Sequence, residues 1–381
     1  MLACGFLSSP VNTRLTGASR AAATSTLGFD RSVTTPVTDR ATRPRRPEHP
    51  PYDGLPDPVL LPAQDYIADA TRAVNKAKKR VYMIALTIAD GRETGRLLDA
   101  VAAAAARGVD VRVAADVFTY ADFAGMFLPR SYVTKRARRS MRLVRELVGA
   151  GAEFDWLGRE RGLIWRGRTH TKFCVVDDAV YSFGGVNVDD AGVTNVDYMI
   201  KVVDRNLADD IVDVYERIRK ANRTKSGRRS RSLKFGKDRV LVDGGLVGDS
   251  IIYRHAVKYA RKATRIVLVS QYCPTGKLGR LIKAVPHEFY FNPPENASAA
   301  NRILIRTSML WSRTRTRYTR RQYLHAKAII FYKKNGKAVA ITGSHNFVKG
   351  GVALGTREIA LQTKNPAVIA QIERFIDERV R

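Results

Sequence analysis

Two short clusters of histidine, lysine and asparagine are the residues of this chain best suited to covalent chemistry. Each cluster begins with a His-x-Lys triplet and ends in a glycine-led Gly-x-x-Asn segment. A single His-x-Lys triplet would be an ordinary surface feature, but two copies in the same order indicate a duplicated functional motif. The side chains concerned are His170, Lys172 and Asn187 in the first copy and His325, Lys327 and Asn346 in the second.

The spacing within the two copies agrees once one hairpin is taken into account. Asn187 follows its histidine by 17 residues and Asn346 follows its own by 21, with the four extra residues around Asn335-Gly336, a tight-turn signal. Downstream, Asp197 lies 27 residues after the first histidine, and Glu358 lies 33 after the second, or 29 without the four. A carboxylate can orient an imidazole and fix its tautomer, so these acids support nucleophilic histidine chemistry.

This set of side chains fits the transfer of a phosphoryl group. A phosphodiester reaction needs positive charge on the nonbridging oxygens and an aligned nucleophile and leaving group. Two lysine ammonium groups can supply the charge, and a histidine nucleophile can divide the reaction into two steps through a covalent intermediate. The sequence has no HExxH motif, no metal-site spacing of Cys and His and no glycine-rich phosphate loop, so we expect no metal ion and no other cofactor.

The elements that must position these side chains alternate between helices and strands. Apolar periodicity predicts helices at 63–79, 93–107, 135–148, 207–220, 249–262, 278–285 and 366–379. Apolar and β-branched runs predict strands at 81–88, 109–115, 172–176, 180–183, 198–203, 265–270, 303–306, 326–331 and 338–342. Each His-x-Lys triplet opens a strand and presents both side chains on one face. The sequence therefore predicts an α/β protein with two similar halves.

Composition predicts the domain boundaries. Residues 59–222 and 241–381 would form the two halves. Residues 223–240, which are rich in basic residues, glycine and serine, are typical of a solvated linker. Residues 1–58 lack apolar periodicity and predict a disordered basic extension, whose arginines would also suit an organelle-targeting segment.

The paired motifs and their downstream acids resemble those of the phospholipase D superfamily across roughly residues 60–381. The resemblance implies two α/β sandwich halves that pack with one shared active site at their interface. It implies that His170 attacks phosphorus to form a phosphohistidine, while His325 protonates the leaving oxygen and later activates the incoming alcohol or water. The residues that it assigns to the phosphoryl oxygens are Lys172, Lys327, Asn187, Asn346 and Ser344.

Two positions depart from the family pattern. Asp177 is the motif acid of the first copy, a position that supports structure, but the equivalent residue of the second copy is Tyr332. Gly185 stands where the second copy has Ser344. The Gly-Gly-x-Asn segment resembles cardiolipin synthase-like and phosphatidylserine synthase-like bacterial phosphatidyltransferases more than single-motif nucleases.

The charge of the chain indicates a polyanionic partner. There are 66 Lys and Arg residues against 36 Asp and Glu, a formal net charge of +30, while the 45% hydrophobic content excludes a wholly disordered chain. No apolar run approaches the ~18 residues of a membrane-spanning helix, so membrane contact would be peripheral. Three cysteines without CxxC spacing give no support for a disulfide framework or a zinc ribbon.

Three functions follow from these observations. We expect phosphatidyl transfer or hydrolysis on anionic phospholipid by a cytoplasmic or peripheral membrane enzyme that has no stable protein partner. The alternative enzyme is a metal-independent nuclease that cuts DNA or RNA. The non-enzymatic alternative is a polyanion-binding relative with an inactive motif. Under each, the five arginines within 313–321 are candidates for phosphate contact because they lead directly to His325.

Overall fold

Two seven-stranded sheets carry the fold in the computed structural model, which describes residues 54–120, 134–158 and 167–381. Most of the predicted basic extension, residues 1–53, lies outside the described residues. The first sheet contains β1 (Val59–Pro62), β2 (Arg80–Ala85), β3 (Asp110–Asp116), β4 (Glu153–Leu157), β5 (Phe173–Val176), β6 (Ala179–Ser182) and β7 (Tyr198–Val203). The second contains β8 (Arg231–Phe235), β9 (Asp238–Gly244), β10 (Arg265–Val269), β11 (His287–Tyr290), β12 (Ala328–Tyr332), β13 (Ala338–Gly343) and β14 (Arg357–Thr363).

The helices lie before, between and after these strands. In chain order they are α1 (Ala63–Lys76), α2 (Gly95–Ala106), α3 (Lys135–Gly149), α4 (Asp190–Thr194), α5 (Arg205–Arg223), α6 (Ile251–Ala260), α7 (Gly276–Lys283), α8 (Ala299–Ser312), α9 (Lys349–Leu354) and α10 (Pro366–Arg379). Among the helices of the described ranges, none is both long enough and apolar enough to cross a bilayer.

The spatial order of the strands repeats between the two sheets. The first sheet runs β1-β7-β6-β5-β2-β3-β4, and the second, taken from its other edge, runs β8-β9-β14-β13-β12-β10-β11. In each sheet the motif hairpin, β5–β6 or β12–β13, is antiparallel, while β2–β3 and β10–β11 are parallel. The two sheets therefore share six strands in one order, which confirms the predicted α/β architecture of two similar halves.

One hydrophobic core joins the two sheets. The spacing of Val368, Ile372, Phe375 and Ile376 places one apolar face of α10 in this core, and α5 contributes a similar face. The core also contains Val175 and Ile200 of the first sheet and Ile330 and Ile359 of the second. Separate cores under α1 to α3 and under α6 to α8 cover the outer faces. The inner faces of the two sheets, together with α5 and α10, thus form the core between the halves.

Two predictions from the sequence are wrong. The expected strand at 303–306 is part of helix α8, because Ile305 and Met309 pack inward at helical spacing while Ile303 and Leu304 point outward. The expected linker at 223–240 contains β8 and the start of β9. Its charges hid the strand pattern because β8 is a sheet edge, where lysine and arginine are common.

Candidate active site

Backbone hydrogen bonds between the two halves position both histidines. The amide of His170 donates to the carbonyl of Arg357 at 2.9 Å. In the mirrored contact, the amide of His325 donates to the carbonyl of Val196 at 3.0 Å. Arg357 and Val196 each lie one residue before an acid predicted to support a histidine. The backbone therefore sets each histidine beside the acid of the opposite half.

The side chains follow this crossed arrangement. Nδ1 of His325 lies 2.6 Å from Oδ2 of Asp197, and Nδ1 of His170 lies 3.2 Å from Oε2 of Glu358 and 3.1 Å from the carbonyl oxygen of Ser344. Because a carbonyl oxygen can only accept, Nδ1 of His170 carries the proton and Nε2 keeps a free lone pair. Each imidazole is oriented by the other half, a pairing that the linear spacing left open.

The electrostatics favour neutral imidazoles and ionised acids. Burial, reinforced by the neighbouring lysine ammonium groups, lowers the pKa of His170 and brings that of His325 to about 3. Burial acts to raise the pKa values of the two acids, but their hydrogen-bonded histidines outweigh it, so the pKa of Asp197 is lowered and that of Glu358 is about 2. Both imidazoles are thus neutral at pH 7, with one ring nitrogen unprotonated.

The two motif lysines are fully buried in the same site. Nζ of Lys172 donates to the carbonyl of His170 at 2.8 Å, and Nζ of Lys327 donates to the carbonyl of His325. Burial lowers the pKa of Lys172 to about 7, helped by the charge of Lys327, and burial lowers the pKa of Lys327 to about 8. Two ammonium groups so placed favour the entry of an anion such as a phosphodiester.

Comparisons with known proteins show what this chain is similar to. Residues 71–219 match the family model described as the phospholipase D-like domain of cardiolipin synthase. This part of the chain is therefore similar to the phospholipase D superfamily. No significant match is found among curated protein sequences.

Two solved structures are similar in fold to more than four fifths of the chain. Phosphatidylserine synthase from Haemophilus influenzae Rd KW20 is 16% identical and superimposes with a TM-score of 0.63 over 86% of this chain and 87% of its own. Polyphosphate kinase from Porphyromonas gingivalis is 12% identical, with a TM-score of 0.53 over 83% of this chain and 49% of its own. At these identities, the structures establish a shared fold.

The motif asparagines have unused hydrogen-bonding capacity. The side-chain oxygens of Asn187 and Asn346 are buried and have no hydrogen-bond partner within the described ranges. Nδ2 of Asn346 donates to Gln271 at 3.2 Å. Buried polar atoms in proteins are normally paired, so these amides are suited to contact a ligand or water.

Ser344 and Gly185 occupy equivalent positions but do different things. The hydroxyl of Ser344, which the resemblance assigned to phosphate, donates to Glu358, so this side chain supports the acid. At Gly185, an added Cβ would lie 2.5 Å from Oδ2 of Asp197 and 2.8 Å from Nζ of Lys327. Its amide instead donates to Asp197 at 3.2 Å. Glycine at this position leaves room for the acid and the lysine.

Asp177 and Tyr332 both anchor the far end of their motif strands. The carboxylate of Asp177 accepts from three consecutive backbone amides, at residues 78–80, over 2.8 to 3.1 Å. The hydroxyl of Tyr332 donates to Glu373 on α10 at 2.5 Å, and Arg265 lies over its ring at 4.7 Å. The departure from the family pattern therefore changes an anchor outside the histidine site.

Several residues around the site were missed by sequence reasoning. Asp116 accepts from Arg168 at 2.6 Å and from the amide of Thr169 at 2.9 Å, which fixes the segment leading to His170. Asp243 lies opposite Glu358 in the register of β9 and β14. Each of these acids ends or interrupts an apolar strand, Val-Ala-Ala-Asp and Val-Leu-Val-Asp. A buried-strand acid is the signal that could have identified them.

Two further side chains, His345 and Tyr323, lie close to the residues of the second motif. Nδ1 of His345 accepts from the amide of Phe347 at 2.8 Å, which gives this side chain a structural role. Tyr323 stacks near His325 with ring centroids 6.5 Å apart, and its hydroxyl accepts from Gln271 at 2.8 Å. Among the described residues, no group of three or more His, Cys, Asp and Glu could hold a metal ion.

Proposed function

We propose that this protein transfers the phosphatidyl group of an anionic phospholipid to an alcohol or to water through a phosphohistidine. The observation that carries the proposal is the crossed pairing of His170 with Glu358 and of His325 with Asp197. Each pair leaves one Nε2 available beside two buried lysines. This is the arrangement that a two-step displacement at phosphorus needs.

The proposed reaction forms and breaks one bond to the enzyme. Nε2 of His170 attacks phosphorus, the bond to the leaving oxygen breaks, and that oxygen takes a proton from Nε2 of His325. The incoming hydroxyl then gives its proton to His325 and attacks phosphorus, which releases His170. Lys172 and Lys327 would neutralise the nonbridging oxygens, and the substrate's negative charge would favour the protonated state of His325 despite its low pKa.

Lipid is favoured over nucleic acid as the substrate by the family comparison. The matching family model describes a cardiolipin synthase domain, and the fold superimposes on a phosphatidylserine synthase over most of both chains. The net charge of +30 favours the second candidate, a nuclease, because phosphate backbones attract cationic surfaces. The proposed lipid enzyme would act at a membrane surface from the cytoplasmic side.

Product analysis separates these functions. The protein would be incubated with labelled phosphatidylglycerol in detergent micelles, with and without added glycerol, beside plasmid DNA and single-stranded RNA. We expect a labelled transfer product whose amount changes when glycerol is added and stays the same when EDTA is added. This product should be absent with His170→Ala. His287→Ala is the matched control, since His287 bonds the carbonyl of Val285 at 2.8 Å in an edge strand. Nucleic acid cleavage that needs His170, without any lipid product, would contradict the proposal.

A further inference from the structure

Helix α8 carries an apolar surface that is exposed in the part of the chain that the structure describes. Trp311 is 87% exposed, Leu310 76%, Ile303 69% and Leu304 52%. The opposite face is anchored by fully buried Ile305 and by Met309, which pack into the outer core of the second half. Adjacent large apolar side chains so exposed are uncommon on a soluble surface and mark an interaction site.

The segment of the chain that contains this surface carries charges of one sign. From Ala299 to Arg321 the chain contains seven arginines and no acid: Arg302, Arg306, Arg313, Arg315, Arg317, Arg320 and Arg321. Arg302 and Arg306 flank the apolar face one turn apart, and Arg313 and Arg315 follow it as exposed residues. An amphipathic helix with aliphatic and tryptophan side chains on one face and arginines beside it matches the chemistry of an anionic bilayer surface.

The helix is also connected to the active site. The hydroxyl of Tyr272 donates to Asn301 in α8 at 3.2 Å. The neighbouring residue, Gln271, bonds both Asn346 of the second motif and Tyr323 beside His325. Because β10 and β12 are antiparallel, the end of β10 that precedes Gln271 lies beside the start of the His325 strand. Helix α8 is therefore linked to the region where β10 ends and β12 begins, beside the site.

We propose that α8 is an interfacial helix that inserts its apolar face into an anionic lipid surface and so brings the active site to its substrate. The inference rests on the proposed lipid function. Trp311 and Leu310 would enter the boundary between head groups and acyl chains, while Arg302, Arg306, Arg313 and Arg315 would bind lipid phosphates. A second copy of the chain is the competing occupant of the same face.

The test measures vesicle binding apart from catalysis. In a His170→Ala background, so that lipids stay intact, the full chain would be sedimented with phosphatidylcholine vesicles and with vesicles half of phosphatidylglycerol. We expect binding to the anionic vesicles, reduced at least ~10-fold when Ile303, Leu304, Leu310 and Trp311 are all changed to Ser. Arg302→Gln/Arg306→Gln should weaken binding about 5-fold for each cation lost.

Control variants test whether vesicle binding depends on the apolar face of α8. Val59→Ser/Val203→Ser removes two exposed apolar residues of the first sheet and should bind as the parent does. Quenching of tryptophan fluorescence by brominated lipid should be lost in Trp311→Phe. Undiminished vesicle binding by the quadruple Ser variant would overturn the proposal, as would a dimer that this variant converts to monomer. The micelle assay of transfer judges the proposed function separately, since it requires no bilayer.

Discussion

The two halves of the molecule hold their histidines on the same backbone frame but support them differently. His325 has a single short bond to Asp197, whose other oxygen accepts from the amides of Gly185 and Tyr198. His170 has two longer bonds, to Glu358 and to a carbonyl, and its side chain is 15% exposed against 7% for His325. A duplicated motif has thus produced two non-equivalent histidines, which a reaction with one nucleophile and one acid requires.

The largest effect is expected from removing either histidine. His170→Ala and His325→Ala should each lower turnover of phospholipid by about 10⁴-fold or more, because neither group has a substitute. A nitrophenyl phosphodiester, whose leaving group needs no proton, would separate their roles. His325→Ala should release one equivalent of nitrophenolate and stop as a phosphoenzyme, whereas His170→Ala should release none in a stopped-flow measurement.

The opposite burst pattern would reverse the assignment of nucleophile and acid while leaving the shared site intact. Substantial turnover in either variant, with unchanged circular dichroism, would rule out a site shared by the two halves. His287→Ala again serves as the matched control.

Substitutions of Asp197 and Glu358 test directly whether each acid serves the histidine of the opposite half. Asp197→Asn should lower kcat by about 10³- to 10⁴-fold, since Asp197 is the carboxylate acceptor for Nδ1 of His325. Glu358→Gln should cost less, about 10- to 100-fold, because His170 keeps its bond to the carbonyl of Ser344. The nitrophenyl substrate distinguishes the two acids further. Asp197→Asn should retain the burst of nitrophenolate that depends on His170, whereas Glu358→Gln should slow this burst.

If each acid served the histidine of its own half, these burst effects would be exchanged. Asp177→Asn is the matched control, since that acid anchors the far end of β5 and should leave kcat unaltered in the folded fraction.

Much of the site could be predicted from the sequence because its chemistry is local. His170 with Lys172 and His325 with Lys327 are set by strand alternation, and a tight turn joins β12 to β13 near Asn335-Gly336, where the sequence predicts one. The second half also shows where local patterns fail. The run Ile303 to Ile305 has strand-like composition, but packing through Ile305 and Met309 makes it helical.

Contacts between the halves could not be read from spacing. Which acid serves which histidine depends on the amide bonds of His170 to Arg357 and of His325 to Val196, each joining residues far apart in the chain. The same holds for Gly185, where the nearness of Asp197 and Lys327 explains a glycine that looked like a departure from the family pattern. Periodicity reports which face of a strand is buried, but not what lies across an interface.

The smallest effect concerns an acid that supports one half alone. Burial raises the pKa of Asp243 from an ordinary 3.8 to about 7, although Ser250 donates to it at 2.5 Å and the amide of Ile251 at 2.7 Å. Between these two pH values the folded chain holds a proton that the unfolded chain lacks, so stability falls as pH rises. Asp243→Asn removes this dependence. Relative to the parent protein, its free energy of unfolding in urea should therefore rise by about 2 to 3 kcal/mol between pH 5 and pH 8.

The first half supplies a control of opposite sign for Asp243→Asn. Burial acts to raise the pKa of Asp177, but the amides of residues 78–80 outweigh it and lower the pKa below the ordinary carboxyl value. This acid therefore adds stability at neutral pH that is lost as pH falls through the acid range. Asp177→Asn should be less stable than the parent protein at pH 7, with the gap closing at low pH. A gap between Asp243→Asn and the parent that stayed constant from pH 5 to 8 would show that Asp243 does not change its charge in the folded protein over this range.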